Sequence, residues 1–512
     1  MTERELLDRT KQFGLRIFKL VAALPQTIQG RAVASQLIRS GTSVAANYRA
    51  ACRARSKPEF IAKLGVVEDE ADESAFWLEF IIDTGLLGAV KVRPLLTEAG
   101  EIAAIMASSK KTAAKSQIEN AVKICDLTQF YSPVSGGVKR YLHEKIHYIE
   151  KHAPRDEHVL IVPGPKANVK ANGRSRVYSI RSPLVSRTGQ YRALLNLRAV
   201  EEILEEERPD LIESADPYQL GWKAVKLGRA LRAPVIGFYH SHFPEAYLRN
   251  SAKVLGKIAT RRVMKLSRAY VRKLYNEHAA TLVASERLAS VLRDWGVHNV
   301  RVLSLGVNPD IFRPDASEKE TTRRSLGLNS QKKLLLYVGR LAKEKNTATL
   351  FAAFKILQQR RPNEFHLLVI GDGPERTQLR KLQARTKNIS WVRYCGDPRD
   401  LARYYRAADL FVHPGVQETF GLATLESQAC GTPVVGIRGS CMDNIICHEQ
   451  KSWARENSAD ALAGAIVSCA TKKLLTVGRN AAKRARSLYS WERVFDELFC
   501  IYREVRANYR QF

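Results

Sequence analysis

Membrane-crossing helices are the first thing this chain lacks. No apolar run approaches the roughly 20 residues that span a bilayer as a helix. The opening residues, MTERELLDRT, carry charges of both signs and hold no apolar core. A secretory signal is therefore not expected, and the chain reads as cytoplasmic. Paired cysteines are also missing. The eight cysteines are scattered over 512 residues with no C-x-x-C pair, which argues against a disulfide scaffold and for reduced thiols. Cys441, Cys447 and His448 come nearest to a zinc set, but their spacing fits no standard pattern, so no metal site is expected. Acid is scarce too: 52 Asp and Glu stand against 82 Lys and Arg, a formal charge of +30.

That charge is unevenly spread. Residues 1–117 hold 17 Lys and Arg against 13 Asp and Glu, so +26 of the total lies downstream. Such an excess suits an anionic partner: nucleic acid, an acidic membrane face or a phosphorylated small molecule. Charge alone does not choose among them. The composition is otherwise ordinary for a globular protein, with material for about two to four domains.

Residues 1–117 read as helices. Pro25–Gly30 and Gly85–Gly88 interrupt them, and Lys57–Pro58 opens a new one. Phe60, Leu64, Val67, Ala71, Ser74, Leu78 and Ile81 keep a three/four spacing that gives one buried face. Phe13, Ile17 and Leu20 do the same earlier, and Ile102, Ile105 and Met106 later. Short connections between four such helices predict an up-and-down bundle. The Lys/Ala/Ser-rich stretch SSKKTAAKSQ (108–117) predicts a linker. Beyond it, eleven short β-rich runs, from VKICDL to PVVGI, alternate with helical stretches. The fold class is α/β: two doubly wound Rossmann-like domains facing a cleft, preceded by an all-α four-helix bundle. The expected boundaries are 118–300 and 301–487, with a C-terminal helix at 488–512 completing the first domain. In such folds ligands sit beyond the carboxyl ends of the strands.

The chemistry-bearing residues follow those runs. Gly136 and Gly137 precede a helix, where adjacent glycines let backbone approach an oxyanion and the helix N-terminus favours it. An ordinary strand-to-helix turn explains them equally well. Arg340 and Lys345 follow KLLLYVG, where two cations suit a diphosphate, or simply form a solvated basic loop. GDGPE (371–375) is another tight turn, but it lacks the G-x-G-x-x-G spacing of a dinucleotide site. His240 and His242 open a loop after PVIGFY, and Pro244 makes it doubtful that the strand continues through them. Basic residues from Arg249 to Lys273 decorate a helix with an apolar side. That helix suits an anionic membrane, or is a packed helix with a solvated face. GVQETFGLATLESQACGTPVV (415–435) sets Glu418 and Glu426 on either side of Gly421.

Residues from about 121 to 505 resemble the family 4 retaining glycosyltransferases of the two-Rossmann-domain type. SGGVKRYL, FYHSHFP, LSLGVNPDIFRP, YVGRLAKEKN, VIGDGPE and ETFGLATLE carry the likeness, in that order. The resemblance implies a nucleotide-diphosphate sugar as co-substrate, with the donor in the C-terminal half and a hydroxyl acceptor, a glycan or glycolipid, in the N-terminal half. It implies no cofactor and no required metal. His240, Glu418, Arg340 and Lys345 become the catalytic candidates. Glu418 would meet sugar hydroxyls, Arg340 and Lys345 the diphosphate, and His240 the transferred sugar. Gly136, Gly137, Gly339, Phe420, Gly421, Leu422 and Glu426 become the donor-binding candidates, with Glu426 on the ribose. Cationic surroundings would keep both glutamates ionised, unlike the raised acid of a glycosidase pair. The chain departs from the family at Asn308, at Asn346 and in the loop RGSCMDNII (438–446), which leaves the donor open.

The stretch 39–79 is similar to the four-helix-bundle proteins encoded by intervening sequences of bacterial 23S rRNA genes, a likeness covering about residues 5–115. It implies a docking or assembly module and a homo-oligomer. Arg49, Arg53, Arg55 and Lys57 form an anion-facing surface or pair with Glu68, Asp69, Glu70, Asp72 and Glu73 on a neighbouring helix. The expected function is transfer of a hexose to a cell-envelope polysaccharide or glycolipid, at the inner membrane. The competing reading is an RNA-associated scaffold with an inactive transferase-like fold.

Overall fold

The computed structural model describes residues 3–54, 57–118, 121–132, 136–186, 190–240, 242, 244, 256–328 and 331–509. The chain divides into two compact units, Met1–Ala121 and Val122–Phe512.

The first unit is an antiparallel bundle of α1 (Glu3–Ala22), α2 (Ile28–Ala51), α3 (Lys57–Asp83) and α4 (Ala89–Ile118). Each helix packs on the next and α1 closes on α4. The three/four stripe becomes the core: Phe13, Ile17, Leu64, Val67, Leu78 and Ile102 are fully buried. Thr27 caps α2 by accepting from the Gly30 amide at 3.1 Å. At Gly41 an added Cβ would sit 2.7 Å from the Ile17 side chain, so α1 and α2 cross closely only because this residue is glycine. Two expectations fail here. Residues 108–117 are no linker, because α4 runs through them to Ile118. Their Ala, Lys and Gln are strong helix formers, and that propensity outweighs the loop-like composition. The acids of α3 also find other partners: Arg39 pairs with Glu73, and Lys110 with Glu68. Arg55 and the Lys57 side chain lie outside the described residues.

The second unit holds two parallel sheets. Its strands are β1 (Lys123–Leu127), β2 (Glu157–Gly164), β3 (Asn168–Asn172), β4 (Ser175–Arg181), β5 (Leu184–Ser186), β6 (Tyr191–Arg192), β7 (Leu211–Ser214), β8 (Val235–Phe238), β9 (Ala280–Val283), β10 (Val300–Val302), β11 (Lys333–Val338), β12 (Phe365–Ile370), β13 (Ile389–Val392), β14 (Leu410–His413) and β15 (Val434–Gly436). The first sheet runs β10-β9-β8-β7-β1-β2-β4-β3, and the second β13-β12-β11-β14-β15. All pairings within these two sheets are parallel except the β3–β4 edge. Helices cover both faces, so the central strands are buried throughout, as their unbroken apolar runs require.

Strand order reverses between β1 and β7 in the first sheet and between β11 and β14 in the second. Crevices open at such points. The chain crosses between the halves twice, and the crossings run side by side. The Val307 amide donates to the Tyr489 carbonyl at 2.7 Å, and the Trp491 amide to the Val307 carbonyl at 3.2 Å. The last helix, Trp491–Tyr509, then packs back on the first half. The Tyr502 hydroxyl meets Lys145 at 2.8 Å, and Arg503 pairs with Asp156 at 2.8 Å.

Candidate active site

In the second half the candidates stand on the loops after β11 and β14. Lys345, in a single 3-10 turn, pairs with Glu418, which follows β14. His413 Nε2 lies 3.8 Å from the same carboxylate oxygen. Burial alone would push the Glu418 carboxyl up, but Lys345 and His413 outweigh it and hold the group below its usual range. Arg340 is half exposed and pairs with Glu344. The two cations thus leave the strand end together, but each is met by its own glutamate. Asn346 adopts φ 57°, and its side-chain amide donates to the Pro414 carbonyl at 2.8 Å. Asparagine tolerates this left-handed conformation better than other side-chain-bearing residues do. The glycines of GDGPE serve packing: a Cβ on Gly371 would fall 2.0 Å from the Gly339 carbonyl oxygen.

Gly421 opens the helix Leu422–Ala429 at φ 97°, a conformation that favours glycine, and a Cβ there would meet Thr424 Oγ1 at 2.8 Å. Phe420 is buried beneath the turn, edge-on to Tyr489 at 6.3 Å. Met442, from the 438–446 loop, packs against Gly421, so that loop does border the turn. Glu426 points into the protein rather than along the helix surface. Its Oε1 meets Arg140 at 3.0 Å, and its Oε2 accepts from the Tyr405 hydroxyl at 3.1 Å. Burial pushes the Glu426 carboxyl up, and Arg140 with Tyr405 pull it back only in part. The expectation of a carboxylate held ionised by cations therefore fits Glu418, whereas at Glu426 desolvation wins.

The first half meets these residues directly. The helix Gly137–His152 begins after Gly136 at φ 95°, and a Cβ on Gly137 would touch Leu422 Cδ1 at 3.2 Å. Thr419 Oγ1 donates to the His240 carbonyl at 3.1 Å. The ring of His240 stacks flat on Phe238, with centroids 3.8 Å apart, and lies edge-on to Tyr141. Its buried Nε2 has no hydrogen-bond partner among the described residues. Burial, helped by Lys145, holds its imidazole down at about 3, so the ring is neutral. His242 turns elsewhere, stacking on Trp295 at 5.2 Å, because β8 has already ended at Phe238.

Beneath His240 lies a buried charge cluster that the sequence did not announce. Lys145 bonds Asp126 at 2.8 Å and approaches Glu213 at 3.2 Å, while His158 reaches Asp126 at 2.6 Å. Burial would raise both carboxyls, but Lys145 and His158 hold Asp126 down, whereas Glu213 is left raised beside it. Arg140 was also missed. Its only signal was its place one turn into the helix after the double glycine. Of the three residues nearest to a zinc set, the Cys441 side chain lies outside the described residues, and His448 Nε2 accepts from the Val434 amide at 3.1 Å. Among the described residues no cluster of His, Cys, Asp and Glu could hold a metal ion.

The comparisons with known proteins converge on the same halves. Residues 135–311 match the family described as Glycosyltransferase Family 4, and residues 318–486 match Glycosyl transferases group 1. Residues 2–108 match the 23S rRNA-intervening sequence protein. A GDP-mannose-dependent alpha-mannosyltransferase of Corynebacterium glutamicum is 32% identical over 51% of this chain, and the chain spans 58% of that relative's length. A GDP-mannose-dependent alpha-(1-6)-phosphatidylinositol dimannoside mannosyltransferase of Mycobacterium tuberculosis is 28% identical over 73% of this chain and 93% of its own. Among solved structures, sucrose-phosphate synthase from Thermosynechococcus elongatus shares the fold at 21% identity, with a TM-score of 0.62 over 76% of this chain and 100% of its own. The two Rossmann-like halves are thus matched in turn, and the chain carries a Glycosyltransferase Family 4 domain and a Glycosyl transferases group 1 domain, with a 23S rRNA-intervening sequence protein domain ahead of them.

Proposed function

We propose that this chain is a retaining hexosyltransferase that moves a sugar from a nucleotide-diphosphate sugar to a hydroxyl of a glycan or glycolipid in cell-envelope synthesis. The observation that carries this reading is the meeting of the halves. Gly137 touches Leu422, and the His240 carbonyl accepts from Thr419. Loops that follow the strand ends of both sheets thereby meet.

The roles follow from the geometry. Departure of the nucleoside diphosphate gathers negative charge on phosphate oxygens while the anomeric carbon becomes cationic. Arg340 and Lys345 neutralise the leaving group, aided by the amides after Gly421. Lys345 has three donors, so it can keep Glu418 and still reach a phosphate. Both Lys345 and His413 lie on Oε1 of Glu418, leaving Oε2 to accept from a sugar hydroxyl. Glu426 takes the ribose hydroxyls, exchanging Arg140 for them. His240 offers to the transferred sugar its Nε2, which has no hydrogen-bond partner among the described residues. In a front-face route the C1–O bond to the diphosphate breaks as the acceptor oxygen bonds C1 from the same side. The acceptor's proton then passes to the departing phosphate oxygen. In this reading the side-chain cations stand in for a metal.

The protein works in the cytoplasm against the inner membrane. Among the described residues no single helix is long and apolar enough to cross a membrane. The helix Lys257–Tyr275 has a basic outer face on which Ile258 and Leu266 stand about 70% exposed, which suits peripheral contact with anionic lipid. Arg249 and Lys253 lie outside the described residues. The bundle would assemble copies of the chain, and the exposed rings of Phe76 and Phe80 offer a surface for it. A panel of nucleotide sugars, headed by GDP-mannose from the names of two relatives, tests the reading. Wild type should transfer or hydrolyse one of them, and Glu426→Ala and Arg340→Ala should not. A folded wild type that neither binds nor turns over any donor would end the enzyme reading in favour of a scaffold.

A further inference from the structure

The helix Lys257–Tyr275 carries seven Lys and Arg side chains and no Asp or Glu. Its packed face is Met264, Ser267, Val271, Leu274 and Tyr275, so the cations are turned outward. Arg261 and Lys265 stand one turn apart, as do Arg268 and Arg272, and like charges at that spacing repel. Arg261, Lys265 and Arg272 have no carboxylate partner among the described residues. Elsewhere this protein relieves such crowding with glutamates, as at Arg229 with Glu277 and Arg293 with Glu286. Here it does not.

These same cations line a cavity of about 410 Å³ together with Met264 and Trp295. That volume lies within the range of small-molecule pockets, about 300–1,000 Å³. Trp295 is a fixed wall: the Arg268 guanidinium lies 5.3 Å from its ring centroid, and His242 stacks on it at 5.2 Å. His242 stands two residues beyond His240, so the cavity adjoins the loop that bears the candidate for contact with the transferred sugar. Guanidinium forks and an ammonium lining one cavity are the chemistry of phosphate recognition.

We propose that this cavity binds a phosphate group carried by the acceptor, so that the sugar goes to a phosphate-bearing substrate. The proposal rests on the transferase reading for the word acceptor, but the pocket itself does not. The phosphate belongs either to a soluble phosphate ester or to a lipid headgroup presented at a membrane.

The test uses the full chain, with glycerol 3-phosphate as the soluble probe and phosphatidylglycerol against phosphatidylcholine vesicles as the membrane probe. Arg261→Gln/Lys265→Gln removes two cations from the cavity. Lys257→Gln/Arg262→Gln removes the same charge from the same helix outside it. Melting temperatures establish that both variants fold. Binding of glycerol 3-phosphate, or of phosphatidylglycerol vesicles alone, should weaken about tenfold or more in the cavity variant, as expected for lost charged hydrogen bonds, and far less in the control. Loss confined to vesicles assigns the headgroup, and loss of the soluble probe assigns the ester. Equal weakening in both variants, or no binding of either probe by wild type, overturns the pocket. A wild type that binds the probe through the cavity yet turns over no nucleotide sugar keeps the pocket and removes the acceptor role.

Discussion

Arg140 and Glu426 meet at 3.0 Å between the two halves of the second unit, one from the helix after the double glycine and one from the helix after Gly421. The pair is nearly buried on the Glu426 side, so removing one partner strands the other. Arg140→Ala should lower stability by about 1–2 kcal/mol, less than for a fully buried pair because Arg140 keeps a quarter of its side-chain exposure. Glu426→Gln in the Arg140→Ala background should restore much of that loss. Thermal melts of the four proteins measure the coupling, and simple additivity would show that the contact carries no energy.

Glu418 makes the opposite electrostatic case. Its carboxyl is held below the ordinary value of 4.5 although burial opposes this, because Lys345 and His413 favour the ionised form. A folded-state value below the unfolded one means that the stabilisation is present above pH 4.5 and is lost as pH falls through the lowered value. Melting temperature followed downward from pH 6 should fall more steeply for wild type than for Glu418→Gln. Parallel curves would show that the pair contributes nothing to acid sensitivity.

His240 is held neutral down to about pH 3 by burial and by Lys145. It therefore carries no charge change across the working range, and the pH–rate profile of transfer should show no limb near the ordinary imidazole value. His240→Ala should lower kcat by about 10²-fold, the usual cost of one preorganised polar group at the reacting centre, with a smaller effect on donor KM. A limb near pH 6.5 that vanishes in the variant would contradict the neutral ring.

Much of this was legible in the chain. Each of the eleven apolar runs contains a strand, because a strand buried on both faces needs an unbroken apolar run. The β3–β4 hairpin was not legible, since NVKAN is exposed at every residue and SRVYSIR mixes polar with apolar at a sheet edge. The candidate loops stand out in the sequence because glycines and charges follow strand ends. The partners were not: Tyr405 and Arg140 reach Glu426 from other elements, and no local pattern announces a contact between helices distant in sequence. Nor could the sequence say that Lys145, amid aromatic residues, would be sealed beneath His240 with two carboxylates.

At Gly421, the φ of 97° and the 2.8 Å approach to Thr424 Oγ1 leave no comfortable place for a side chain. Gly421→Ala should cost about 1–2 kcal/mol in backbone strain. It should also shift the first amides of the helix Leu422–Ala429 away from the donor. Donor affinity should fall more than stability, measured as nucleotide-sugar Kd beside the melting temperature. A variant with unchanged affinity would remove this turn from the donor site.

Arg340 and Lys345 share one proposed task, neutralising the diphosphate, yet their removal should read out differently. Glu344, the partner of Arg340, keeps about a fifth of its side-chain exposure, so water can solvate it once the arginine is gone. Glu418, the partner of Lys345, is more deeply buried, and its remaining neighbour is His413, whose imidazole burial pushes down to about 4. Lys345→Ala therefore leaves a buried carboxylate without its counter-ion, and Arg340→Ala does not. Both variants should lose about 10²-fold or more in kcat. Only Lys345→Ala should also lose stability, by about 1–3 kcal/mol, and Lys345→Ala/Glu418→Gln should regain that stability without regaining turnover. Equal melting temperatures for the two single variants would mean that the Lys345–Glu418 pair is not the buried contact seen here, and with it would go the assignment of Glu418 as a carboxylate held for the sugar.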